Sequence, residues 1–332
     1  MPELPDLPAG LTARPLRAED MAAVADLLVA AEPVDETGEN EDADDLTEFL
    51  VNDRVDLGHD TVAVLAGDAL VAYACTVDLG GHRDEYALML FGRVHPDRRG
   101  QGIGRSLVGW QLARSAELQR ARHPEMPGRF AISVVSAMTS LEALVQRSGF
   151  APVQYYFVMR RPLTDLPAVR PVSGVELRPF DPERDEEVRR LHNVAFVDHV
   201  GTAERDEYAW RTWFTGQRAF RPDVSWLALA DGAVVGYSLL YEFDADTEAT
   251  GVREAFIGQV GVLRSARGRG LGSALIAASL HAAAEDGMGR AGLTVDTNNT
   301  TGALQLYERL GFAVENRETV YAFRVPAGAQ AG

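Results

Sequence analysis

The chain carries one pattern twice: Val94-His-Pro-Asp-Arg-Arg-Gly-Gln-Gly-Ile-Gly104 returns in outline as Val262-Leu-Arg-Ser-Ala-Arg-Gly-Arg-Gly-Leu-Gly272. Each stretch follows an apolar run and precedes an amphipathic one, which predicts a glycine-rich loop between a strand and a helix. Such a loop presents backbone N–H groups at a helix N-terminus, where the helix dipole also favours negative charge. The sequence therefore predicts two phosphate-binding loops.

The spacing of arginine and glycine within the loops excludes two common kinds of nucleotide-binding loop. Both fit Arg-x-x-Gly-x-Gly, beginning at Arg99 and at Arg267. This is neither the dinucleotide pattern Gly-x-Gly-x-x-Gly nor the Gly-Lys-Ser/Thr of a nucleotide-triphosphate loop. A glycine-rich turn by itself is equally compatible with a helix entry that needs small residues. The sequence that follows each loop decides between these interpretations.

The same order of elements is predicted after both loops. After the second loop we expect a helix, a strand, an asparagine-containing loop and a short helix that ends at Gly311-Phe312, with limits at 273–286, 291–295, 296–303 and 304–310. After the first loop we expect helix, strand and short helix at 103–119, 130–136 and 141–147, ending at Gly149-Phe150. The context of the loop is therefore repeated along with the loop.

The repeat extends over both halves of the chain. Arg14-Pro15 matches Arg178-Pro179, and an apolar segment that ends at Tyr73 matches one that ends at Tyr237, in both cases 164 residues later. A constant offset of this length indicates a duplicated domain rather than a short repeat. We predict domains at 1–161 and 175–326, joined by a proline-rich linker at 162–174 and followed by a tail at 327–332.

These features resemble the GNAT N-acetyltransferase superfamily. The resemblance is carried by Arg-x-x-Gly-x-Gly after a strand, the asparagine-containing loop, and Leu306-Tyr-Glu-Arg-Leu-Gly-Phe312. It implies two tandem α/β domains of the α+β kind, each a twisted, mostly antiparallel mixed sheet with helices on both faces. It also implies that acetyl-coenzyme A binds with its pyrophosphate on the loop.

The resemblance assigns the contacts of the cofactor residue by residue. In the second half they are Val262, Leu263, Arg267, Gly268, Arg269, Gly270, Leu271, Gly272, Ser273 and Asn299; in the first half they are Val94, Arg99, Gly100, Gln101, Gly102, Ile103 and Gly104. The Val262 N–H is the best candidate for a donor to the thioester carbonyl. The segment Asn299-Thr-Thr-Gly-Ala303 is one residue longer than is common in the family, so Asn298, Asn299 and Thr300 all remain candidates for one contact.

Two residues are candidates for proton transfer. Tyr307 occupies the tyrosine position of the family motif and could donate a proton to the leaving sulfur; the alternative is an aromatic ring that packs against the sheet. Glu254 begins the strand before the second loop and is either a base that acts through water or a charge at a strand end. Mycothiol synthases, which the tandem chain also resembles, carry their glutamate two positions later, where this chain has Phe256.

The two halves are not equivalent. Val145 stands at the position of Tyr307, five residues before the phenylalanine of each Gly-Phe pair, and the first-half loop Ser136–Ser140 contains no asparagine. We therefore predict that catalysis takes place in the second half. The first half is predicted to be non-catalytic, either as a silent acetyl-coenzyme A site or with a loop kept for structure alone.

The acceptor is less well defined. The segment Asn193–His199 resembles part of the mycothiol synthases, which acetylate a cysteinyl pseudodisaccharide amine. Asp198 and His199 are therefore candidates for contacts with the substrate, or else residues of an exposed helix end. The resemblance implies transfer to a primary amine of a small molecule, such as a mycothiol precursor or an aminoglycoside. The alternatives are a non-catalytic acetyl-coenzyme A sensor and a protein or peptide N-acetyltransferase.

Composition sets outer limits on the function. The net charge is −17, from 32 basic and 49 acidic residues, which argues against nucleic-acid binding. The acidic stretch 35–45 is a solvated loop or a border of the acceptor side. No apolar run is long enough for a membrane span, and no secretory signal is evident, so we expect a cytoplasmic protein; a homodimer is compatible with the sequence. The chain has a single cysteine, Cys75, in a predicted apolar strand, so no disulfide can form within it. Its seven histidines do not have the spacing of metal ligands, so we predict no metal site.

Overall fold

The structure is a computed structural model that describes residues 6–80, 82–196, 204–297 and 302–328. The chain divides into two compact units. The first unit comprises Met1–Tyr155 together with Glu318–Gly332, and the second comprises Tyr156–Arg317. Each unit is a mixed sheet with helices packed on both faces, which confirms the predicted fold class.

The first unit contains a sheet in the order β1-β2-β3-β4-β5-β12. β4 and β5 are parallel and the other neighbours are antiparallel. The strands are β1 Thr12–Arg14, β2 Thr61–Ala66, β3 Ala69–Val77, β4 Tyr86–Val94, β5 Gly128–Val135 and β12 Ala313–Val325. The helices are α1 Met21–Asp35, α2 Ala43–Leu50, α3 Leu57–Asp60, α4 Ile103–Arg122 and α5 Thr139–Arg147.

The second unit contains a sheet in the order β6-β11-β10-β9-β8-β7. Here β10 and β11 are the parallel pair. The strands are β6 Ala151–Pro162, β7 Glu176–Pro179, β8 Trp226–Ala230, β9 Ala233–Tyr241, β10 Glu254–Val262 and β11 Arg290–Asp296. The helices are α6 Asp185–Ala195, α7 Glu207–Trp210, α8 Asp244–Thr250, α9 Leu271–Glu285 and α10 Ala303–Arg309, and a π-helical turn Arg211–Thr215 follows α7.

The last strand of each sheet comes from the opposite half of the sequence. Residues Tyr156–Pro162 of β6 pair with β11 of the second unit, and Glu318–Val325 of β12 pair with β5 of the first. The domain limits expected from the repeat follow the order of the sequence. The sheets are completed instead by an exchange of equivalent strands, which a repeat period does not reveal.

The elements around both loops confirm the sequence predictions. The helix predicted at 273–286 is α9, which begins two residues earlier because Gly270 takes the left-handed conformation just before it. α9 buries Ile276, Leu280 and Ala283 against Ile257 and Leu293 of the parallel strand pair. This packing fixes the start of α9, and with it the loop, beside the end of β10.

Candidate active site

The parallel strands β10 and β11 separate partway along their length. Their pairing covers only Glu254–Ile257 opposite Arg290–Leu293, and the register of β10 against β9 shifts between Ile257 and Gln259. The rest of β10 stays paired to β9 alone, so a gap opens between β10 and β11. The first unit repeats this geometry, since β4 and β5 pair only from Tyr86 to Met89.

The backbone of β10 offers hydrogen-bond donors to this gap. The Leu263 N–H donates to the Val235 carbonyl at 3.0 Å, on the side of β9. Successive N–H groups of a strand point to opposite edges, so the Val262 N–H faces the gap. Val262 thus has the orientation expected of a carbonyl donor, whereas the N–H of Leu263 is already used within the sheet.

The second loop exposes a run of free N–H groups. Gly268 and Gly270 take left-handed conformations, with φ of 76° and 83°, and Gly270 immediately precedes α9. Among the described residues, none accepts a hydrogen bond from a backbone N–H of residues 268–273, and the Ala274 N–H is the first to bond within the helix. These donors at the positive end of a 15-residue helix form an anion-binding surface.

The first loop of the opening motif has the same form. Gly100 and Gly102 have φ of 78° and 92°, and Gly102 immediately precedes α4. Within the described ranges, no acceptor bonds to a backbone N–H of residues 100–105, and the Ser106 N–H bonds to the Gly102 carbonyl. The predicted duplication of the phosphate-binding geometry is therefore present in both units.

The arginine that opens each motif holds its loop in place. Arg267 donates to the carbonyls of Val262 at 3.1 Å and of Ala195, the last residue of α6, at 2.8 Å. Arg99 donates to the Val94 carbonyl at 3.1 Å and binds both carboxylate oxygens of Asp35, the last residue of α1, at 2.7 and 2.8 Å. The structure thus gives both guanidinium groups an internal role in shaping the site.

The Glu254 carboxylate forms ion pairs with two arginines. Its side chain is almost fully buried, Oε2 accepts a hydrogen bond from the Arg160 Nε at 2.9 Å, and the Arg290 guanidinium contacts the same oxygen. Glu254 begins β10, eight residues before Val262, which corresponds to about 26 Å along a strand. This geometry favours the interpretation of Glu254 as an ion-paired residue at a strand end.

Tyr307 lies in α10, beside the second loop. The neighbouring Leu306 packs against Gly272 at the start of α9: its side chain lies 3.7 Å from the point that a Cβ on Gly272 would occupy. The Tyr307 ring packs edge-on to Phe312, with centroids 6.0 Å apart, and among the described residues no hydrogen bond of its hydroxyl is present. Burial raises the pKa of the Tyr307 phenol to about 12, so the hydroxyl keeps its proton near neutral pH.

The first unit has no such hydroxyl. Val145 is fully buried in α5 among the residues that pack under β4 and β5. Three other predicted residues, Asn299, Asp198 and His199, lie outside the described residues, and their roles stay predictions. The described ranges contain no group of three or more metal-ligating side chains, and no described helix is long and apolar enough to cross a membrane.

Sequence reasoning did not bring together a histidine of α6 and a tyrosine of β9 that meet near the end of β10. His192 of α6 and Tyr237 of β9 are both buried, and the Nδ1 of His192 lies 2.6 Å from the Tyr237 hydroxyl. The repeat of Tyr73 as Tyr237 was visible in the sequence. Because a histidine and a tyrosine 45 residues apart give no local pattern, their contact was not.

Comparison with known proteins identifies the family. Residues 186–312 match the Acetyltransferase (GNAT) family. A protein of Frankia alni named mycothiol acetyltransferase is 33% identical over 95% of this chain and 95% of its own length, and one of Parafrankia sp. is 32% identical over 90% and 93%. The chain belongs to the GNAT acetyltransferase family.

Solved structures agree with this assignment to the GNAT family. A GCN5-related N-acetyltransferase from Sphaerobacter thermophilus superposes with a TM-score of 0.78 at 27% identity, over 98% of both chains. A tandem GNAT protein from the clavulanic acid biosynthesis pathway superposes with a TM-score of 0.67 at 20% identity, over 95% of this chain and 98% of that one, a likeness of fold. The predicted family, enzyme class and fold are confirmed, and the GNAT family indicates use of an acyl-coenzyme A.

Proposed function

We propose that this enzyme transfers the acetyl group of acetyl-coenzyme A to a primary amine of a small molecule, and that the second unit carries out the transfer. The observation that carries the proposal is the arrangement at one end of β10. There the Val262 N–H faces the gap, and the six N–H groups of residues 268–273 find no acceptor among the described residues. The helix that carries the protonated Tyr307 packs beside the start of α9 through Leu306 and Gly272. This set supplies a phosphate site, a carbonyl donor and a proton donor.

The residues of the second unit then act in sequence. The N–H groups of residues 268–273 hold the pyrophosphate, and the edge of β10 pairs with the pantetheine amides as an added strand would. The Val262 N–H donates to the thioester oxygen as it gains negative charge. The neutral amine nitrogen attacks the carbonyl carbon to form the new C–N bond, the C–S bond breaks, and the Tyr307 hydroxyl gives its proton to the departing sulfur. The attacking nitrogen then releases a proton to water as the amide forms, and water returns a proton to the Tyr307 oxygen.

The proton of the ammonium acceptor needs a separate route. Glu254 is one candidate for the base from the sequence, but two guanidinium groups engage its carboxylate at the opposite end of β10. We therefore assign the deprotonation to solvent water, before the attack. This assignment makes the rate rise with pH as the acceptor amine loses its proton.

The nature of the acceptor rests on the relatives. Their name, mycothiol acetyltransferase, makes an amine precursor of mycothiol the first acceptor to test. The net charge of −17 suits a cationic acceptor, which keeps aminoglycosides and basic peptides as further candidates.

The first unit is proposed to bind coenzyme A without transfer. It keeps the free N–H run at residues 100–105 but has Val145 in place of the proton donor. A sensor or holding role would belong to this unit rather than to the whole chain.

A turnover screen tests the proposal. Release of free thiol from acetyl-coenzyme A is followed with a thiol reagent against mycothiol precursor amine, aminoglycosides, amino acids and basic peptides. We expect turnover with at least one small-molecule amine and a shift of its mass by one acetyl group. Turnover with peptides alone would favour a protein acetyltransferase, and absence of any acetylated product would refute the proposal.

A further inference from the structure

A buried hydrogen bond links α6 to β9 under the active end of β10. The Nδ1 of His192 lies 2.6 Å from the hydroxyl of Tyr237, and both side chains are buried. The histidine is fixed by neighbouring rings: it stacks on Phe196 at 4.6 Å between centroids, and Trp210 and Phe214 lie at 5.2 and 5.1 Å. Its imidazole therefore holds the tyrosine hydroxyl at one place.

The ring of Tyr237 lies against the backbone of Gly261. A Cβ at Gly261 would overlap the Cε1 and Cζ atoms of the tyrosine, so the ring fills the space that a side chain would take. Gly261 pairs with Tyr237 across β9 and β10 and directly precedes Val262. The ring thus buttresses the strand one residue from the N–H that faces the gap.

The first unit lacks this device. The strand register is the same, since Tyr73 pairs with Arg93 as Tyr237 pairs with Gly261. Helices α1 and α6 begin 164 residues apart, and this offset puts Leu28 at the position of His192. The first unit therefore has neither the imidazole nor the bare backbone that receives the ring.

The side chain of Arg93 takes a different course. Its Nε lies 3.5 Å from the Asp35 carboxylate, and its Nη1 lies 4.0 Å from the Sδ of Met138, which follows β5. The guanidinium thus reaches from β4 to the segment after β5, across the gap that opens beyond Met89. The first unit thus has an arginine at the strand position where the second unit has Gly261.

We propose that His192 and Tyr237 are positioning residues for acyl transfer, which hold the Gly261–Val262 backbone so that the Val262 N–H meets the thioester oxygen. The inference rests on the proposed function for the site of transfer. Its effect is geometric: a displacement of about 1 Å at a reacting group can cost about 10²-fold in rate. Loss of the buttress should therefore lower kcat and leave the remote phosphate site intact.

Matched variants in the two units test the proposal. Tyr237→Phe removes the hydroxyl and keeps the ring, His192→Leu installs the first-unit residue, and His192→Asn keeps an amide near the position of Nδ1. Tyr73→Phe makes the same change as Tyr237→Phe on the equivalent strand of the first unit. kcat and the calorimetric affinity for acetyl-coenzyme A are measured for each, together with the melting temperature.

We expect Tyr237→Phe and His192→Leu to lower kcat by about tenfold or more, with the affinity for acetyl-coenzyme A changed by less than about twofold. His192→Asn should recover most of the loss, and Tyr73→Phe should leave kcat unchanged. A Tyr237→Phe enzyme with the kcat of the parent would overturn the proposal. So would equal losses of kcat and affinity, because the pair would then serve cofactor binding.

An infrared measurement decides the question independently of the acceptor. The carbonyl band of ¹³C-labelled acetyl-coenzyme A moves to lower frequency when the oxygen accepts a hydrogen bond in the site. We expect this shift to shrink in Tyr237→Phe and His192→Leu and to persist in Tyr73→Phe. An unchanged band in all variants would refute the positioning role even if no amine is acetylated, whereas absence of acetylation in the parent alone would refute only the proposed function.

Discussion

Replacement of Tyr307 by phenylalanine separates acid catalysis from packing. The ring contacts Phe312 edge-on, and the hydroxyl has no partner in the described ranges, so the substitution removes neither ring packing nor a hydrogen bond within them. We therefore expect the free energy of unfolding to change by less than about 0.5 kcal/mol, the range typical of substitutions that break no packing contact and no hydrogen bond. Any large change in rate would then come from the hydroxyl itself.

The size of the rate effect follows from the chemistry of the step. General acid catalysis is worth about 10²–10⁴-fold, and water can replace part of it. We expect kcat to fall by at least about tenfold, with a much smaller change in the affinity for acetyl-coenzyme A, because the hydroxyl acts mainly as charge develops on sulfur. The control is Tyr73→Phe, which removes a tyrosine hydroxyl from the first unit instead.

The pH profile gives a second readout. Burial raises the pKa of Tyr307 to about 12, so the acid form is present throughout the range below it. kcat of the parent should rise with pH as the acceptor deprotonates, with no loss attributable to Tyr307 below about pH 11. The assay is single-turnover thiol release, in which chemistry limits the rate. A Tyr307→Phe enzyme within about twofold of the parent would refute the acid role and leave solvent as the proton source.

Three further predictions concern the loops and the strand end. Gly270→Asp places a carboxylate against the phosphates at a left-handed position and should weaken coenzyme A binding by about 10²-fold or more in calorimetry; Gly270→Ala, which adds only backbone strain, should weaken it much less. Gly102→Asp should lower the number of coenzyme A molecules bound per chain from two to one, and a single site in the parent would contradict this. Glu254→Gln removes the buried carboxylate that Arg160 and Arg290 share, although Arg160 keeps its contact with the exposed Glu315, and should lower the stability by about 3 kcal/mol, read as a fall in melting temperature; an unchanged melting temperature would contradict the ion-paired role.

The parts of this fold that the sequence predicts are those with a local signal. The glycines at 268 and 270 have positive φ, and the apolar periodicity of the following helix places its start within two residues. The same signals occur in the first half, which is why both loops and their flanking elements could be predicted. Tyr307 could be named as a candidate for the same reason, since its motif is contiguous, and its role stays a prediction.

The parts of the fold and of the site that the sequence does not predict depend on contacts between residues far apart in the chain. The exchange of β6 and β12 between the sheets leaves no trace in a repeat period, because each strand is where the repeat expects it in sequence. The environment of Glu254 is set by Arg160, which lies 94 residues earlier in the chain. A base and an ion-paired strand end therefore look alike until the chain is folded.

The two units agree at the phosphate end of the cleft and differ at the acyl end. The loop arginine of each is held by a different acceptor, the Asp35 carboxylate in the first unit and the Ala195 carbonyl in the second, yet both loops present six N–H groups that have no acceptor in the described part of the chain. Val145, Arg93 and Leu28 of the first unit stand at the positions of Tyr307, Gly261 and His192, the residues to which we assign roles in the proposed transfer. We therefore propose that the first cleft selects its ligand by the phosphates alone, whereas transfer uses the hydroxyl, the bare strand and the buttressed backbone that the second unit combines.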